Sequence, residues 1–502
     1  MPVLCGFFNA AFFLQKKNCF VKNGQNHCFF RMVVVKLSKR NDVRRGHLTK
    51  GRVSMVRDLT QGKESKVLIE YTLPMFVGVA FQQLYNISDS IIAGKFAGED
   101  ALAAVGASYA ITMLFMAVAV GCQIGCTVVV SRLFGAKDFT KMKTAIFTIL
   151  ISGFFLSLLL SIVGVILSPT FMKLLKTPEN IFEDSELYLK IYIAGFLFLF
   201  LYNVVTGIFN SLGDSKTPLV FLICSSLGNI FLDWLFVAVF HKGVVGVAVA
   251  TFIAQSLAGI AASLVLLMRL KKMKTPEKPE LFSRKMLSDV ARVAIPSVLQ
   301  QSFISVGNLF IQKLVNNCGS SVIAGYSAAI KLNTFAITGF TTLGNGISSF
   351  TAQNLGAGKK ERIRKGLKAG ILFSLGVALV FFLAFFLTGE TWVKLFMDED
   401  ASNAALQTGK IFLRIVAPFY FVICVKLLCD GMLRGCTKMK EFMVATFTDL
   451  ILRVVLAHIL CGYFNETGIF MSWPIGWTIA TVISLIYSKK CLGGKKLELE
   501  ED

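Results

Sequence analysis

Asp89 stands in a mostly apolar stretch, Val67 to Ile92, and Asp233 stands in a second apolar stretch much later in the chain. A carboxylate inside hydrocarbon costs about 2.5–3.5 kcal/mol on insertion scales, so it is rarely kept without a use. Asn229, at i−4 from Asp233, and Thr251 add two more oxygen-bearing side chains in apolar surroundings. Hard cations take oxygen ligands, and a buried carboxylate alternatively takes a proton. The set therefore points to an ion or proton site inside a membrane. Gln82, Tyr85, Asn86 and Asp89 fall on one helical face, and a polar stripe at that depth must face the protein interior.

The elements that position these residues are legible from composition. The 502 residues are 55% hydrophobic with a mean hydropathy of +0.66, which excludes an ordinary soluble enzyme. The pattern predicts an all-α membrane protein with about twelve transmembrane helices, at 67–94, 101–131, 144–168, 187–211, 218–240, 244–268, 290–316, 320–353, 366–388, 406–433, 441–462 and 466–488. Loops after even-numbered spans are basic (Arg132, Lys137, Lys141; Lys271, Lys272, Lys274; Lys359, Lys360, Arg362). Loops after odd-numbered spans are sparse or acidic (Glu99, Asp100; Glu179, Glu183; Asp398, Glu399). By the positive-inside rule both termini are cytoplasmic in this multi-pass protein, and a bacterial plasma membrane is expected. The net charge of +22 thus marks orientation, and no nucleic-acid partner is expected. At 1.5 Å per residue, Asp89 lies roughly 9 Å, Asp233 roughly 12 Å and Thr251 roughly 13 Å below the outer ends of their spans.

The chain repeats internally. Gly98, Ala103, Ala107, Gly125, Gly135 and Ala136 recur 221 positions later as Gly319, Ala324, Ala328, Gly346, Gly356 and Ala357; Pro74 and Asn86 recur as Pro296 and Asn308. Six spans per repeat is an even number, so the halves run in the same direction. That implies two parallel six-helix bundles related by a pseudo-two-fold axis along the membrane normal. The expected organisation is a first lobe at 55–270, a charged cytoplasmic linker at 271–288, a second lobe at 289–490 and a charged cytoplasmic tail at 491–502. Residues 1–54 carry eleven Lys/Arg against one acid, with no spanning segment and no A-x-A cleavage site. They read as a basic extension ahead of a natural start at Met55, or as a mis-assigned start.

YTLPMFVGVAFQQLYNISDSIIAGKFAGEDALAAVGA, SRLFGAKD and LGDSKTP, with the weaker copy AIPSVLQQSF…TAQNLGAGKK, carry a resemblance. From residue 55 to about 490 the chain resembles the multidrug and toxic compound extrusion (MATE) family. The resemblance implies a two-lobed antiporter expelling organic cations and other amphiphilic drugs or metabolites in exchange for Na⁺ or H⁺, by alternating access. It implies a cation site, able to hold Na⁺ or a proton, at Asp89, Asn229, Asp233 and Thr251. Gln82 and Tyr85 match positions that resemble substrate contacts. Some members instead use acids on the seventh and tenth helices; here the seventh offers Gln300 and Gln301, and the tenth only Asp430. Coupling is therefore expected in the first half alone.

Asn86, on the polar stripe, and Lys331, roughly 17 Å into the eighth span with no sequence-local acid, complete the expected substrate contacts. Pro74 removes a backbone donor from the helix that carries Asp89, so it is the expected gating residue. Asp430 with Arg434 and Asp449 with Arg453 are spaced i,i+4, as self-neutralising pairs would be. The twelve cysteines form no CxxC pair, and the four histidines are dispersed. No cofactor is expected beyond the coupling ion; the partners are the lipid bilayer and small amphiphilic substrates, and a monomer is expected. The alternative within transport is a lipid-linked saccharide flippase of the same superfamily, which calls for several cavity Arg/Lys. A membrane enzyme would need a metal-ligand or nucleophile constellation; HExxH and GxSxG are absent from the sequence.

Overall fold

The computed structural model describes residues 57–92, 99–397 and 402–493; for Leu84, residues 86–92 and residues 99–102 it describes the backbone alone. The basic extension and nearly all of the charged tail lie outside the described residues. Every regular element described is helical: α1 (Glu64–Ile92), α2 (Glu99–Gly135), α3 (Phe139–Leu174), α4 (Glu179–Ala194), α5 (Phe196–Ser211), α6 (Lys216–Asp233) and α7 (Gly243–Lys272), then α8 (Arg284–Asn316), α9 (Ser320–Gly356), α10 (Lys360–Lys394), α11 (Asn403–Val416), α12 (Tyr420–Gly435) and α13 (Met439–Gly493). Helices satisfy their own backbone donors and acceptors, which hydrocarbon demands. Among the described residues, eight helical segments are long and apolar enough to cross a bilayer, or nine if the bent pair α4–α5 is one span.

Two expected spans are broken rather than straight. Residues 187–211 divide at Gly195, where α4 and α5 meet at 45°. Residues 406–433 divide at a 3₁₀ turn, Ala417–Phe419, around Pro418, which cannot donate to the ladder. The expected spans at 441–462 and 466–488 run together as α13, but Asn465 (φ 51°, ψ −137°) interrupts the helical path. Gly476, past that break, packs against Asp449 and Arg453 before it, so the two arms lie antiparallel.

The internal repeat is written into the backbone. Left-handed residues recur in pairs: Lys137 with Gly358, Gly213 with Thr437, and His241 with Asn465. The first two pairs close helices in the same way. Asp138 N–H donates to Leu133 C=O (3.2 Å) and Lys359 N–H to Asn354 C=O (2.8 Å); Asp214 N–H donates to Phe209 C=O (3.0 Å) and Lys438 N–H to Leu433 C=O (2.9 Å).

Four apolar clusters hold the helices among the described residues, the smallest of them around Tyr188, Val237 and Val247 in the first half. One, with Phe115, Phe196, Val204 and Phe209 at its centre, is built almost wholly from the first half. A second, around Phe340, Phe412, Tyr420 and Trp473, belongs to the second half. The third draws on both halves: Leu59, Leu68 and Val128 meet Val293, Ile347, Phe350 and Leu433. Where α2 meets α8 and α9, small residues let backbones touch. Gly121 lies against Val298, Gly125 against Ala294, Gly135 against the Gln353 carbonyl and Gly356 against the Arg132 carbonyl.

Polar contacts reinforce the same end of the molecule. The Gln353 side chain accepts from Leu59 N–H (2.9 Å) and donates to Ser211 C=O (2.8 Å). Arg362 donates to Gly62 C=O (2.6 Å) and Gln61 C=O (3.0 Å), and Lys359 to Thr60 C=O (2.8 Å). The linker between the halves is anchored too. Lys143 Nζ donates to Met273 C=O (2.5 Å), Glu280 N–H to Thr144 Oγ1 (3.1 Å) and Ser283 N–H to Thr148 Oγ1 (2.9 Å), pinning it to α3.

Candidate ion site and cleft

The site is positioned by the register of α1, α6 and α7. Ser215 Oγ donates to Tyr71 C=O (2.7 Å), and one to two turns further along, Gly78 of α1 lies against Leu219 and Leu222 of α6. Contacts advance in the same direction along both helices, so α1 and α6 are parallel. Residues 71 and 215 are 144 positions apart, and so are 89 and 233. The register therefore carries the Asp89 position on α1 to the level of Asp233; the Asp89 and Asn86 side chains lie outside the described residues.

Asp233 is wholly buried at the last residue of α6, and Asn229, one turn earlier, is 3% exposed. The Asn229 side-chain amide finds no hydrogen-bond partner among the described residues. A buried amide left so costs about 1–3 kcal/mol, which a bound ion or water would offset. Directly after Asp233 the chain winds into a π-helix, Trp234–Val239, then reverses at His241 into α7. The sequence gives no sign of this π-helix; such segments are common at functional sites because they loosen the backbone ladder. Gly246 of α7 packs against Phe236, so the antiparallel pairing sets buried Thr251 at a level between Asn229 and Asp233. Carboxylate, amide and hydroxyl oxygens thus share one depth in the first half, the chemistry that a hard cation or a proton uses.

The remaining expected positions divide. Gln82 is exposed and Tyr85 half-buried on α1, and Pro74 lies within α1, which stays helical through it. Lys331 is exposed on α9. A recess of about 660 Å³ lined by Met443, Val444, Phe447 and Ile451 follows one arm of α13 and includes none of these residues.

The MatE family profile matches residues 74–235 and 296–459, one block in each half of the repeat. The chain belongs to the MatE family. These are multidrug and toxic compound extrusion transporters, integral membrane proteins. This MatE chain is 28% identical over 434 residues to "Probable multidrug resistance protein YpnP" of Bacillus subtilis, a match covering 86% of this chain and 96% of that protein. It is 23% identical over 423 residues to "Probable multidrug resistance protein NorM" of Thermotoga maritima, covering 81% and 88%. Among solved structures it superposes on "Outward-facing conformation of a multidrug resistance MATE family transporter of the MOP superfamily" with a TM-score of 0.81 at 22% identity, covering 88% of this chain and 99% of that one. It also matches a transporter from Pyrococcus furiosus titled for the "reverse polarity of binding pocket", with a TM-score of 0.82 at 22% identity. These structural likenesses establish the fold.

The second half of this MatE chain holds a charge cluster different from the one expected. Asp430 and Asp449 do not turn to Arg434 and Arg453; both face Lys426, at 2.8 Å and 3.7 Å. Ser484 Oγ donates to the other Asp430 oxygen (2.6 Å). Arg434 donates to Asn345 Oδ1 (3.0 Å) and lies over Phe442, while Arg453 lies over Trp473 at 4.3 Å. Lys426 is 2% exposed, so its ammonium is held by the two carboxylates in a dry interior. In the first half, Asp214 caps α6: its carboxylate accepts from Thr217 N–H (3.0 Å), and it pairs with Arg269.

Proposed function

We propose that the chain is a secondary active antiporter that exports organic cations or other amphiphilic compounds in exchange for Na⁺ or H⁺. In this reading its helices form twelve spans in two six-helix bundles, related by an axis along the normal of a bacterial plasma membrane, with both termini cytoplasmic. The repeated left-handed turns support two equivalent halves, and the fold at Asn465 supports counting α13 as two spans. The names of the relatives, multidrug resistance proteins, support the substrate class.

The observation that carries the reading is the shared level of Asp89, Asp233, Asn229 and Thr251, set by the Ser215–Tyr71 and Gly246–Phe236 contacts. A cation or proton there neutralises the carboxylates that would otherwise hold a cationic substrate, so ion entry and substrate release are linked. Gln82, Tyr85 and Asn86 lie on the same helix as Asp89, below it, and form the substrate face of α1 in this reading. Pro74 lies below that stripe, where a bend would tilt the stripe and the carboxylate together. The halves meet around Gly135, Gln353 and Gly356, at the end rich in Lys and Arg, and in this reading the cavity between them opens toward the opposite, outer face.

Uptake of rhodamine 6G into inverted vesicles, with pH and Na⁺ gradients imposed independently, tests this. One gradient should drive accumulation and its collapse should release the dye. Equal uptake with and without either gradient would contradict antiport.

A further inference from the structure

We propose that Lys331 is an anion-binding subsite of the cleft, so that the preferred substrates are amphiphiles bearing a carboxylate or similar anionic group together with their cationic group. The inference deepens the antiporter reading and rests on it. Four observations converge on it.

First, Lys331 faces the other half of the molecule. At 100° per residue, Lys331, Thr338, Asn345, Ser349 and Gly356 fall within a narrow stripe of α9. At its lower end this stripe is covered by the first half: Gly356 touches the Arg132 carbonyl of α2, and Ser349 is fully buried. Followed upward, the same face becomes half-buried at Thr338 and exposed at Lys331. The surface that is interface at Gly356 is therefore cleft wall at Lys331.

Second, the face is polar along its length. Ser327, Lys331, Thr334, Thr338, Thr341 and Asn345 succeed one another at helical spacing. A stripe of this kind against lipid would leave an ammonium in hydrocarbon, whereas a water-filled cleft solvates it.

Third, its level is fixed by α1. Gly346 meets Thr72 and Gly339 meets Phe76, an antiparallel register that places Lys331 beside residues 84–87 of α1. That is the level of Tyr85 and Asn86, about one turn below Asp89. The backbone position of Asp89 on α1 and the Lys331 ammonium of α9 thus differ in depth by about one helical turn.

Fourth, no acid pairs with Lys331 among the described residues, whereas Lys190, Lys394, Lys410 and Lys426 all have carboxylate partners. An ammonium left available in a cleft attracts an anionic group of a ligand, and a charge-assisted hydrogen bond there is roughly twice as strong as a neutral one.

The test uses the full-length protein in detergent and a matched dye pair: rhodamine B, which carries a free carboxylate beside its cationic xanthene, and its ethyl ester, which carries the cation alone. Wild type should bind the acid about tenfold more tightly than the ester, the scale of one good charge-assisted contact. Lys331→Gln should erase that preference by weakening the acid alone, and Lys331→Arg should retain it. Ester binding with no preference for the acid, or a preference unchanged in Lys331→Gln, would overturn the anion subsite while leaving the amphiphile antiporter intact. Failure of wild type to bind either dye would contradict both.

Discussion

Ser215 and Tyr71 are joined by one hydrogen bond, hydroxyl to backbone carbonyl at 2.7 Å, and it lies 18 residues below both Asp233 and Asp89. A single contact near the basic end of the molecule thus records the alignment of two carboxylates roughly 27 Å away along the helices. The register is directly testable. With cysteines at Gly78 and Leu222, oxidation should crosslink α1 to α6 readily; moving the second cysteine one turn to Ser226 should slow it strongly. Equal rates for the two pairs would mean that the helices slide, and the shared level of the aspartates would not be fixed.

The contact of Gly135 with the Gln353 carbonyl predicts a steric limit on how the halves meet. Gly135→Val places a branched side chain against backbone that cannot rotate away, so it should destabilise the closed end by several kcal/mol, about the scale of core overpacking. Labelling of a cysteine placed at Ser131, buried beside this contact, should rise in the variant. Labelling and melting temperature equal to those of wild type would contradict the close approach.

Removing one partner of the Asp214–Arg269 pair should cost more than an ordinary surface change, because Asp214 is 3% exposed and also caps α6. Asp214→Asn keeps part of the cap but loses the charge; Arg269→Ala leaves the carboxylate buried and unpaired, about 3–5 kcal/mol by analogy with other broken buried pairs. Thermal unfolding in detergent should rank wild type above Asp214→Asn, and Asp214→Asn above Arg269→Ala. The reverse order would show that the cap outweighs the ion pair.

Lys426 predicts a non-additive pattern. Lys426→Met alone leaves two buried carboxylates facing one another and should be strongly destabilising. Lys426→Met combined with Asp430→Leu removes both charges of the closest pair and should recover much of the loss. Additive losses in a melting-temperature cycle would show that Lys426 does not hold Asp430.

Much of this was legible in the sequence because the membrane makes it so. Each helix must satisfy its own backbone, so the apolar runs could be placed without coordinates. The break at Asn465 was legible for the same reason, as a gap between two apolar runs. The Lys426 cluster was not, because i,i+4 spacing serves Lys426–Asp430 as well as Asp430–Arg434. The choice depends on the neighbouring arm of α13, which brings Asp449 to Lys426 and Ser484 to Asp430. The π-helix after Asp233 and the anchoring of the linker on α3 are likewise tertiary facts with no local signature.

The central claim is that Asp89 and Asp233 together couple the ion to efflux, and one measurement tests it most directly. Inverted vesicles carrying Asp89→Asn, Asp233→Asn, both changes, or Asp430→Asn would be compared for gradient-driven dye uptake at matched amounts of inserted protein. The account predicts that either single change lowers uptake to the level of empty vesicles and flattens its pH and Na⁺ dependence. The double change should be no worse, and Asp430→Asn should retain coupling in whatever fraction folds. Wild-type uptake with unchanged pH and Na⁺ responses in Asp89→Asn or Asp233→Asn would contradict the account.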